Sequence, residues 1–529
     1  MNHSDFLPAL KPAYPDLRSC DAWVATAALG DSPQACSAFL SLLHEIDSAP
    51  PPRETYLQML EHLLPTLLPA IGEQTRRFAA KPLPLSQAEM LAFSQVSDLW
   101  LALLRAYRRL LRAAVDAEPA ENNAGLPLLA ARAAGCASEL IAVHFLARKE
   151  PGPDPWQWLH VSYAFAEARG LDGMEAASGQ GNSCAAAYAQ ALLFALAQPQ
   201  SLSQRDMFWT RAWARRFAGK VRMVRVLPGA PAYAVDLGGG AAWRVAKGDP
   251  EQPDGPVRYL DTEALGYSLR KRLRRLDEGD DPAALGLGQG CTQPGASALL
   301  RRLISAWCAA PAAPRFPRRA VPARHAAALL AVGFTAVHAA IDGKPFSSEA
   351  VDWNYNRRDE DDVHAFQRTY GQADRLQAFE LRLEHWLALD ESANGFRLER
   401  NGPGARVAHR QLLALKAGGA PHFMLAEVRW MMQHAAESLV VGVQLLPGLA
   451  RACAARTHSE EPGRAQPWSQ SLLLPLVQGK APSLVLPASW YQRDRLLELR
   501  IESGVRRVRL FGLIERGFDY DRVSFTAES

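Results

Sequence analysis

The sequence predicts an α+β multidomain fold, with an N-terminal α-helical region followed by a small antiparallel β-barrel and a C-terminal β unit. Two observations carry this prediction. Between residues 54 and 198, apolar side chains recur every three or four positions, which is the period of amphipathic helices. Beyond residue 384, short apolar runs alternate with glycine- and asparagine-containing turns, as in small barrels and sandwiches. A chain of 529 residues is long enough for several domains.

The helical region is predicted over residues 1–210. One segment keeps its apolar period especially clearly and predicts a buried helix face, formed by Met90, Leu91, Phe93, Val96, Leu99, Trp100, Leu103, Leu104, Tyr107 and Leu110. A further helix, at residues 156–163, has the Trp, Leu and Tyr spacing that opens a tetratricopeptide (TPR) unit, but His160 stands where glycine is usual. We therefore predict helical hairpins and leave a TPR-like repeat open. The region is not assigned to a family.

The β-barrel is predicted over residues 346–456. Its strand-like runs are residues 385–389, 396–398, 411–415, 423–432 and 439–446. The first two runs enclose the motif Asp-x-Ser-x-x-Gly, formed by Asp390, Ser392 and Gly395. A carboxylate and a hydroxyl two residues apart present an acceptor and a donor in one direction, and we expect Gly395 to close the turn with a positive φ.

The motif and the strands that follow it resemble the PilZ domain, a bacterial receptor module for cyclic di-GMP. The resemblance rests on the motif, on the Val-Arg-Trp run ending at Trp430, on the Gly-Val-Gln run beginning at Gly442 and on a predicted helix at residues 449–455. It covers residues 350–456. It implies a small antiparallel barrel that binds cyclic di-GMP and needs no other cofactor.

The PilZ family has a second motif, Arg-x-x-x-Arg, on the segment that leads into the barrel. The corresponding place here begins with His364 and ends with Arg368, so the first arginine is replaced. An imidazole cannot reproduce the bidentate binding of phosphate and guanine edges by a guanidinium. Arg357 or Arg358, which lie upstream, could substitute for it. The resemblance therefore implies a cyclic di-GMP site made of Arg368, Asp390, Ser392 and Gly395, with Arg357, Arg358 and His364 as further candidates.

A mixed β/α middle domain is predicted over residues 211–345. Arg211 and Arg215 have the four-residue arginine spacing, and Asp236 opens a glycine-rich turn between two strand-like segments. The region could therefore be a diverged second PilZ-like barrel. This hypothesis requires a closed antiparallel sheet over residues 217–260.

The same arginine spacing occurs at Arg315 and Arg319. Both residues lie within residues 311–322, a stretch that holds four prolines and few apolar side chains. Such a composition is typical of connections between domains. We therefore interpret this stretch as a linker and its arginine spacing as a coincidence.

The C-terminal unit is predicted over residues 457–529, after a break in composition at residues 457–467. Its strand-like runs are residues 471–474, 483–487, 496–501, 506–513 and 522–525. They predict either a second small β unit or strands that extend the first barrel, and the sequence leaves both open.

The charge and cysteine content exclude several classes of partner. The chain has 59 basic and 55 acidic residues, and this balance argues against nucleic acid or an anionic membrane as the main partner. Seven cysteines without any Cys-x-x-Cys indicate neither a metal site nor a disulfide framework.

The N-terminus lacks a basic segment followed by an apolar run, and apolar stretches such as residues 191–197 are too short to span a membrane. We expect a cytoplasmic protein without membrane insertion.

No common catalytic motif occurs in the sequence, such as His-Glu-x-x-His, Gly-x-Ser-x-Gly or a phosphate-binding P-loop. We therefore expect a protein that is not an enzyme, and two functions remain. The first is a bacterial cyclic di-GMP effector that converts dinucleotide binding into an interaction of its helical region with an unknown protein partner. The second is a degenerate PilZ adaptor or scaffold that no longer binds the dinucleotide. The two differ in whether an arginine fills the place of the missing one.

Overall fold

The computed structural model describes residues 12–116, 125–175, 183–226, 233–246, 255–310, 316–346, 383–434, 438–458, 466–477, 479, 481–502 and 504–528. The chain forms two compact units. The first comprises Met1–Lys81 and Leu85–Ala313, and the second comprises Pro82–Pro84 and Pro314–Ser529. The first unit is mainly helical and the second is mainly β, which confirms the predicted fold class.

Helices form most of the first unit. In chain order they are α1 (Leu17–Thr26), α2 (Ser32–Ser48), α3 (Arg53–Phe78), α4 (Gln87–Asp116), α5 (Leu126–Leu146), α6 (Pro153–Ala168), α7 (Cys184–Leu196), α8 (Gln204–Phe217), α9 (Glu263–Asp277) and α10 (Gly295–Cys308). The apolar stripe predicted on α4 is largely buried, although Leu91 near its start is exposed. The predicted domain boundary at residue 210 falls inside α8, because this helix continues to Phe217.

Helix α5 is the central helix of the first unit. It packs against α4, α6 and α7, and its side chains are apolar on nearly every side. By length and composition α5 could cross a membrane, but 78% of its apolar window is buried inside the fold. A helix that is hydrophobic all round is equally typical of a protein core.

A small antiparallel sheet completes the first unit. Its strands are β1 (Arg222–Val224), β2 (Tyr233–Asp236), β3 (Arg244–Val245) and β4 (Val257–Asp261), in the order β1–β4–β2–β3. Within the described residues β1 and β3 are the edge strands, each paired with one neighbour and not with each other, so the sheet is open. The hypothesis of a diverged barrel over residues 217–260 is therefore wrong. The strands are too short to tilt and close, and the buried Arg258 of β4 instead binds Glu167 of α6.

The second unit contains a closed barrel, here called the first barrel. Its elements are β5 (Arg319–Ala320), β6 (Ala327–Val332), α11 (Phe334–Asp342), β7 (Leu383–Ser392), β8 (Gly395–Asn401), β9 (Leu412–Ala417), β10 (Met424–Gln433) and β11 (Ser438–Leu445). Antiparallel pairing runs β7–β6–β9–β10–β11–β8, and β8 pairs back with β7. Strand β5 adds to β7 outside this ring. All five strand-like runs predicted from the sequence fall on these strands.

The first barrel begins earlier than predicted. Strand β6 and helix α11 lie within the predicted middle domain, residues 211–345, but they pack with the barrel strands. Fifty residues of sequence, 333–382, separate the apolar run of β6 from β7. The β6 run therefore cannot be recognised as half of a hairpin with β7 from the sequence.

Six further strands close a second barrel. They are β12 (Arg451–Thr457), β13 (Ser469–Leu474), β14 (Ser483–Pro487), β15 (Leu496–Ile501), β16 (Gly504–Arg516) and β17 (Tyr520–Ala527). The ring order is β12–β13–β14–β17–β16–β15. Of the two alternatives, a separate β unit is therefore the correct one, and all five predicted runs are strands.

The helix predicted at residues 449–455 is wrong. This alanine-rich segment forms β12, which pairs with β13 and β15. Alanine favours helix locally, but here pairing on both sides of the strand decides the conformation. The predicted boundary at residue 457 consequently falls at the end of the first strand of the second barrel.

The two barrels share a core around α11, which contacts β6, β9, β12 and β13. The shared cluster contains Ala331, Val337, Leu412, Leu425, Leu472, Leu474, Val485 and Tyr520. In addition, His338 of α11 lies with Nε2 3.0 Å from the Cys453 carbonyl oxygen. Because one apolar cluster draws on both barrels, they form one compact unit.

Candidate functional site

The hairpin between β7 and β8 carries the predicted Asp-x-Ser-x-x-Gly motif. Ser392 pairs with Gly395 across a two-residue turn, and Asp390 pairs with Arg397. The Ser392 hydroxyl donates a hydrogen bond to the Gly395 carbonyl at 3.3 Å and accepts one from the Asn394 amide at 3.4 Å. The structure therefore brings three of the predicted site residues together at one end of the first barrel.

Gly395 is required for a reason other than the expected one. Its φ is not positive, so the prediction of a left-handed turn residue is wrong. A Cβ atom at this position would instead overlap the carbonyl oxygen of Val443 in β11 and lie 3.1 Å from its carbon. Strand β8 is paired on both sides where the barrel closes, and the glycine permits this close approach.

Two arginines flank the Asp390 carboxylate. Arg318 Nη1 lies 3.9 Å from Oδ1, and Arg397 Nη1 lies 3.7 Å from Oδ2. Both distances exceed hydrogen-bond length, so the charges attract each other without a direct hydrogen bond. Asp390 is 19% exposed, whereas Arg318 and Arg397 are 57% and 42% exposed. Among the described residues the buried Nε of Arg397 has no hydrogen-bond partner.

Strand β5 brings Arg318 to this position. Ala320 pairs with Asp390 and Arg319 pairs with Glu391, so the chain just before β5 runs beside the motif. The division between the two compact units falls within residues 311–322, as expected of a linker, but Arg319 and Ala320 at its end also form a strand of the barrel sheet. No local sequence pattern marks Arg318, because the Arg315–Arg319 spacing does not include it and its approach to Asp390 depends on the pairing of β5 with β7.

The remaining predicted site residues, Arg357, Arg358, His364 and Arg368, lie outside the described residues, and their role stays a prediction. Within the described part of the chain, the arginines beside Asp390 are Arg318 and Arg397.

The arrangement suits a guanine nucleotide. Guanidinium groups bind phosphate oxygens and the O6 and N7 atoms of guanine in a bidentate manner. A carboxylate accepts hydrogen bonds from donors, and guanine offers them at N1 and N2. Among the described residues, no group of three or more His, Cys, Asp or Glu side chains could hold a metal ion. The guanidiniums and the carboxylate of the site can recognise a ligand by charge and by hydrogen bonds.

A second cluster of charges lies where the two barrels meet. Arg410 Nε donates to Glu427 at 2.7 Å, and its Nη2 donates to Glu515 at 3.1 Å. Burial and the neighbouring Glu427 raise the pKa of Glu515 to about 7. Burial also opposes ionisation of Glu427, but hydrogen bonds with Glu515 and Arg410 outweigh it and lower the pKa of Glu427. Between the lowered pKa of Glu427 and about pH 7 the pair therefore holds one proton, on Glu515, and it releases this proton as the pH rises through about 7.

Comparison with known families assigns both ends of the chain. The model of the N-terminal domain of the cyclic-di-GMP receptor FimW matches residues 18–228, and the model of the FimW C-terminal β-barrel domain matches residues 453–528. The chain belongs to the FimW family. The resemblance to a cyclic di-GMP receptor family is thereby confirmed.

The two FimW domains correspond to the helical part of the first unit and to the second barrel. The helical region, which the sequence analysis left without a family, is thus the FimW N-terminal domain. The first barrel, with Asp390 and its two arginines, lies between the two FimW matches. Searches among curated proteins and among solved structures found no match for the chain.

Proposed function

We propose that this chain is a bacterial, cytoplasmic receptor that binds cyclic di-GMP at the β7–β8 hairpin of the first barrel. Membership of the FimW family supports the ligand. The observation that carries the location is the placement of Asp390 between Arg318 and Arg397, with both guanidiniums partly exposed. The family matches do not cover this barrel, so the location rests on the geometry.

The roles of the side chains follow from their chemistry. Asp390 accepts hydrogen bonds from N1 and N2 of one guanine, and Arg318 binds a phosphate of the dinucleotide. Arg397, whose side chain is 42% exposed, offers its guanidinium to a guanine or phosphate oxygen. Ser392 holds the turn by donating its hydroxyl hydrogen to the Gly395 carbonyl, and its oxygen accepts a further hydrogen bond from the ligand. In this proposal the phosphate and guanine groups of the dinucleotide attract Arg318 and Arg397, which in the free protein are attracted by the Asp390 carboxylate.

The adaptor alternative rested on His364 in place of an arginine. Arg318 and Arg397 supply two guanidiniums beside Asp390 without any contribution from that segment. The loss of an arginine at residue 364 therefore gives no reason to expect loss of binding, and we favour the receptor.

We further propose that dinucleotide binding fixes the segment around Arg318 and that the output is an interaction with a protein partner, without catalysis. A ligand shifts a conformational equilibrium only by its differential affinity for the two states. A phosphate that bridges arginines from different strands provides such a difference, because it binds the state in which they are close.

Isothermal titration of cyclic di-GMP into the full-length protein tests the proposal. We expect binding in the low micromolar range, about −8 kcal/mol, and its loss in Asp390→Ala. Glu391→Ala removes the same charge from the next residue of the strand and is expected to bind as the wild type. Cyclic di-AMP, whose adenine lacks O6 and the N2 amine, is the ligand control. The proposal fails if the wild type gives no heat at tens of micromolar ligand, or if Asp390→Ala binds normally.

A further inference from the structure

The first unit contains a large groove between α3 and α8, with α5 at its base. Its volume is about 980 Å³, and its lining is mostly apolar. Ala131 and Ser138 of α5 lie deep in it and are buried, whereas Leu68 of α3 and Phe208 of α8 are 45% and 62% exposed. Large exposed apolar side chains on both sides of an apolar groove are typical of an interaction site.

Two helix-interior glycines line this groove. Gly72 lies in α3 and Gly135 in α5, where glycine is a poorer helix former than alanine. A Cβ atom at either position would have nothing within 4 Å. No neighbouring part of the fold therefore needs these glycines. The space above them suits the close approach of a backbone from outside the chain.

Ser138 gives a second, independent indication of an occupant. Its side chain lines the groove and is 1% exposed, yet among the described residues its hydroxyl has no hydrogen-bond partner. A buried hydroxyl without a hydrogen-bond partner destabilises the folded protein. An occupant of the groove could supply the missing partner.

The charge of the groove is positive. Arg205, Arg211 and Arg215 of α8 contribute to its lining, and the carboxylate in the lining is Glu139, which pairs with Arg211. Arg205 donates to the Thr292 hydroxyl, a neutral partner, at 2.5 Å. The rim on the α8 side therefore keeps a net positive charge that complements acidic groups.

We propose that this groove binds an amphipathic helix of a partner protein that carries acidic residues beside its apolar stripe. The lining residues of α8 run from Gln204 to Arg215, about 17 Å at 1.5 Å per residue, which matches about three turns of a bound helix. The proposal deepens the proposed function, because it names the class of partner that the receptor would engage. An anionic amphiphile, such as a fatty acid, is the competing occupant.

Selection from a displayed library of random peptides of about 16 residues, on the full-length protein, tests this proposal. We expect enriched peptides with apolar residues spaced i, i+3, i+4 and i+7 and with several Asp or Glu. Synthetic copies should lose at least about tenfold in affinity for Gly135→Leu, which fills the groove, but not for Gly295→Leu. Gly295 starts α10 and has open space around it but does not line the groove.

Arg215→Glu provides a variant that leaves the apolar lining intact. It should weaken the acidic peptides and should not weaken matched peptides in which Asp and Glu are replaced by Asn and Gln. The proposal is overturned if no helical spacing is enriched, or if the peptides bind Gly135→Leu as well as the wild type. It is also overturned if the fluorescent fatty acid cis-parinarate binds the wild type but not Gly135→Leu while the peptides fail to bind.

The same samples separate this proposal from the proposed function. Gly135→Leu should bind cyclic di-GMP as the wild type does, and Asp390→Ala should bind the selected peptides. Peptide binding without dinucleotide binding would contradict the receptor function and leave the groove proposal standing. Dinucleotide binding without peptide binding would support the receptor function and overturn the groove proposal.

Discussion

Arg318 and Asp390 are far apart in the chain, yet the guanidinium and the carboxylate lie 3.9 Å from each other at the end of the first barrel. Their approach depends on β5, a strand of two residues that pairs with β7. With Arg397 on the opposite side, the carboxylate is held in a positively charged setting that remains partly exposed. This setting is the basis of the receptor function proposed for the chain.

Removing either arginine beside Asp390 should weaken cyclic di-GMP binding. We expect Arg318→Ala and Arg397→Ala each to lose about 1.5–3 kcal/mol, because a hydrogen bond to a charged group is lost. Arg318→Lys should recover only part of the loss, since an ammonium cannot bind phosphate in a bidentate manner. The dissociation constants can be measured by titration calorimetry. Arg324→Ala, an exposed arginine just beyond β5, is the control, and an equal loss there would contradict a specific role.

Gly395→Ala should destabilise the protein. The added Cβ would overlap the Val443 carbonyl oxygen, and backbone atoms of two paired strands cannot move aside without disturbing the barrel. We expect a loss of about 1–3 kcal/mol in the free energy of unfolding, measured with urea. Gly219→Ala adds the same methyl group where nothing lies within 4 Å and should change stability little. Similar stability of both variants would show that the closure at Gly395 is less tight than described.

The charge cluster between the barrels should make stability depend on pH. The pKa of Glu515 is raised above its ordinary value to about 7 in the folded protein. The stability gained by binding this proton in the folded state is therefore fully present below about pH 4.5 and is lost as the pH rises through about 7. Glu515→Gln mimics the protonated side chain. We therefore expect the unfolding free energy of this variant, relative to the wild type, to increase between about pH 5 and about pH 8.

Glu391→Gln makes the same change on an exposed side chain and serves as the control. Its difference from the wild type should be nearly constant over this pH range. If Glu515→Gln behaves in the same way, the shared proton of Glu427 and Glu515 is not present.

Glu167→Ala should destabilise the first unit much more than Asp277→Ala. Glu167 binds Arg258 through two hydrogen bonds, and the Arg258 side chain is 5% exposed. Removing the Glu167 carboxylate leaves the buried Arg258 guanidinium without its acidic partner, which costs about 3–5 kcal/mol. Asp277 pairs with Arg301 at an exposed site, where such pairs contribute about 0.2–1 kcal/mol. Thermal and urea unfolding compare the two variants, and equal effects would contradict the burial of Arg258.

Most strands and the main buried helix face could be predicted from the sequence, because their apolar periods are regular and their turns carry glycine or asparagine. The predictions failed where distant pairing decides the structure. Residues 449–455 favour helix locally but pair on both sides as β12. Strand β5 is too short and too rich in proline and arginine neighbours to show a strand pattern.

The candidate site was therefore predicted only in part. The Asp390 motif is local in sequence and could be recognised from its spacing. Arg318 and Arg397 could not be assigned in this way, since their approach to Asp390 depends on two different strand pairings, with β5 and with β8. The requirement for Gly395 likewise comes from β11, a strand far along the chain.

Hydrogen–deuterium exchange with and without cyclic di-GMP tests whether the dinucleotide binds at the β7–β8 hairpin, because it locates the ligand on the full-length protein. We expect slower exchange in residues 316–320 and 390–397 of the first barrel, which the ligand would cover and hold together. Protection confined to residues 18–228 or 453–528, the regions matched by the FimW models, would contradict it.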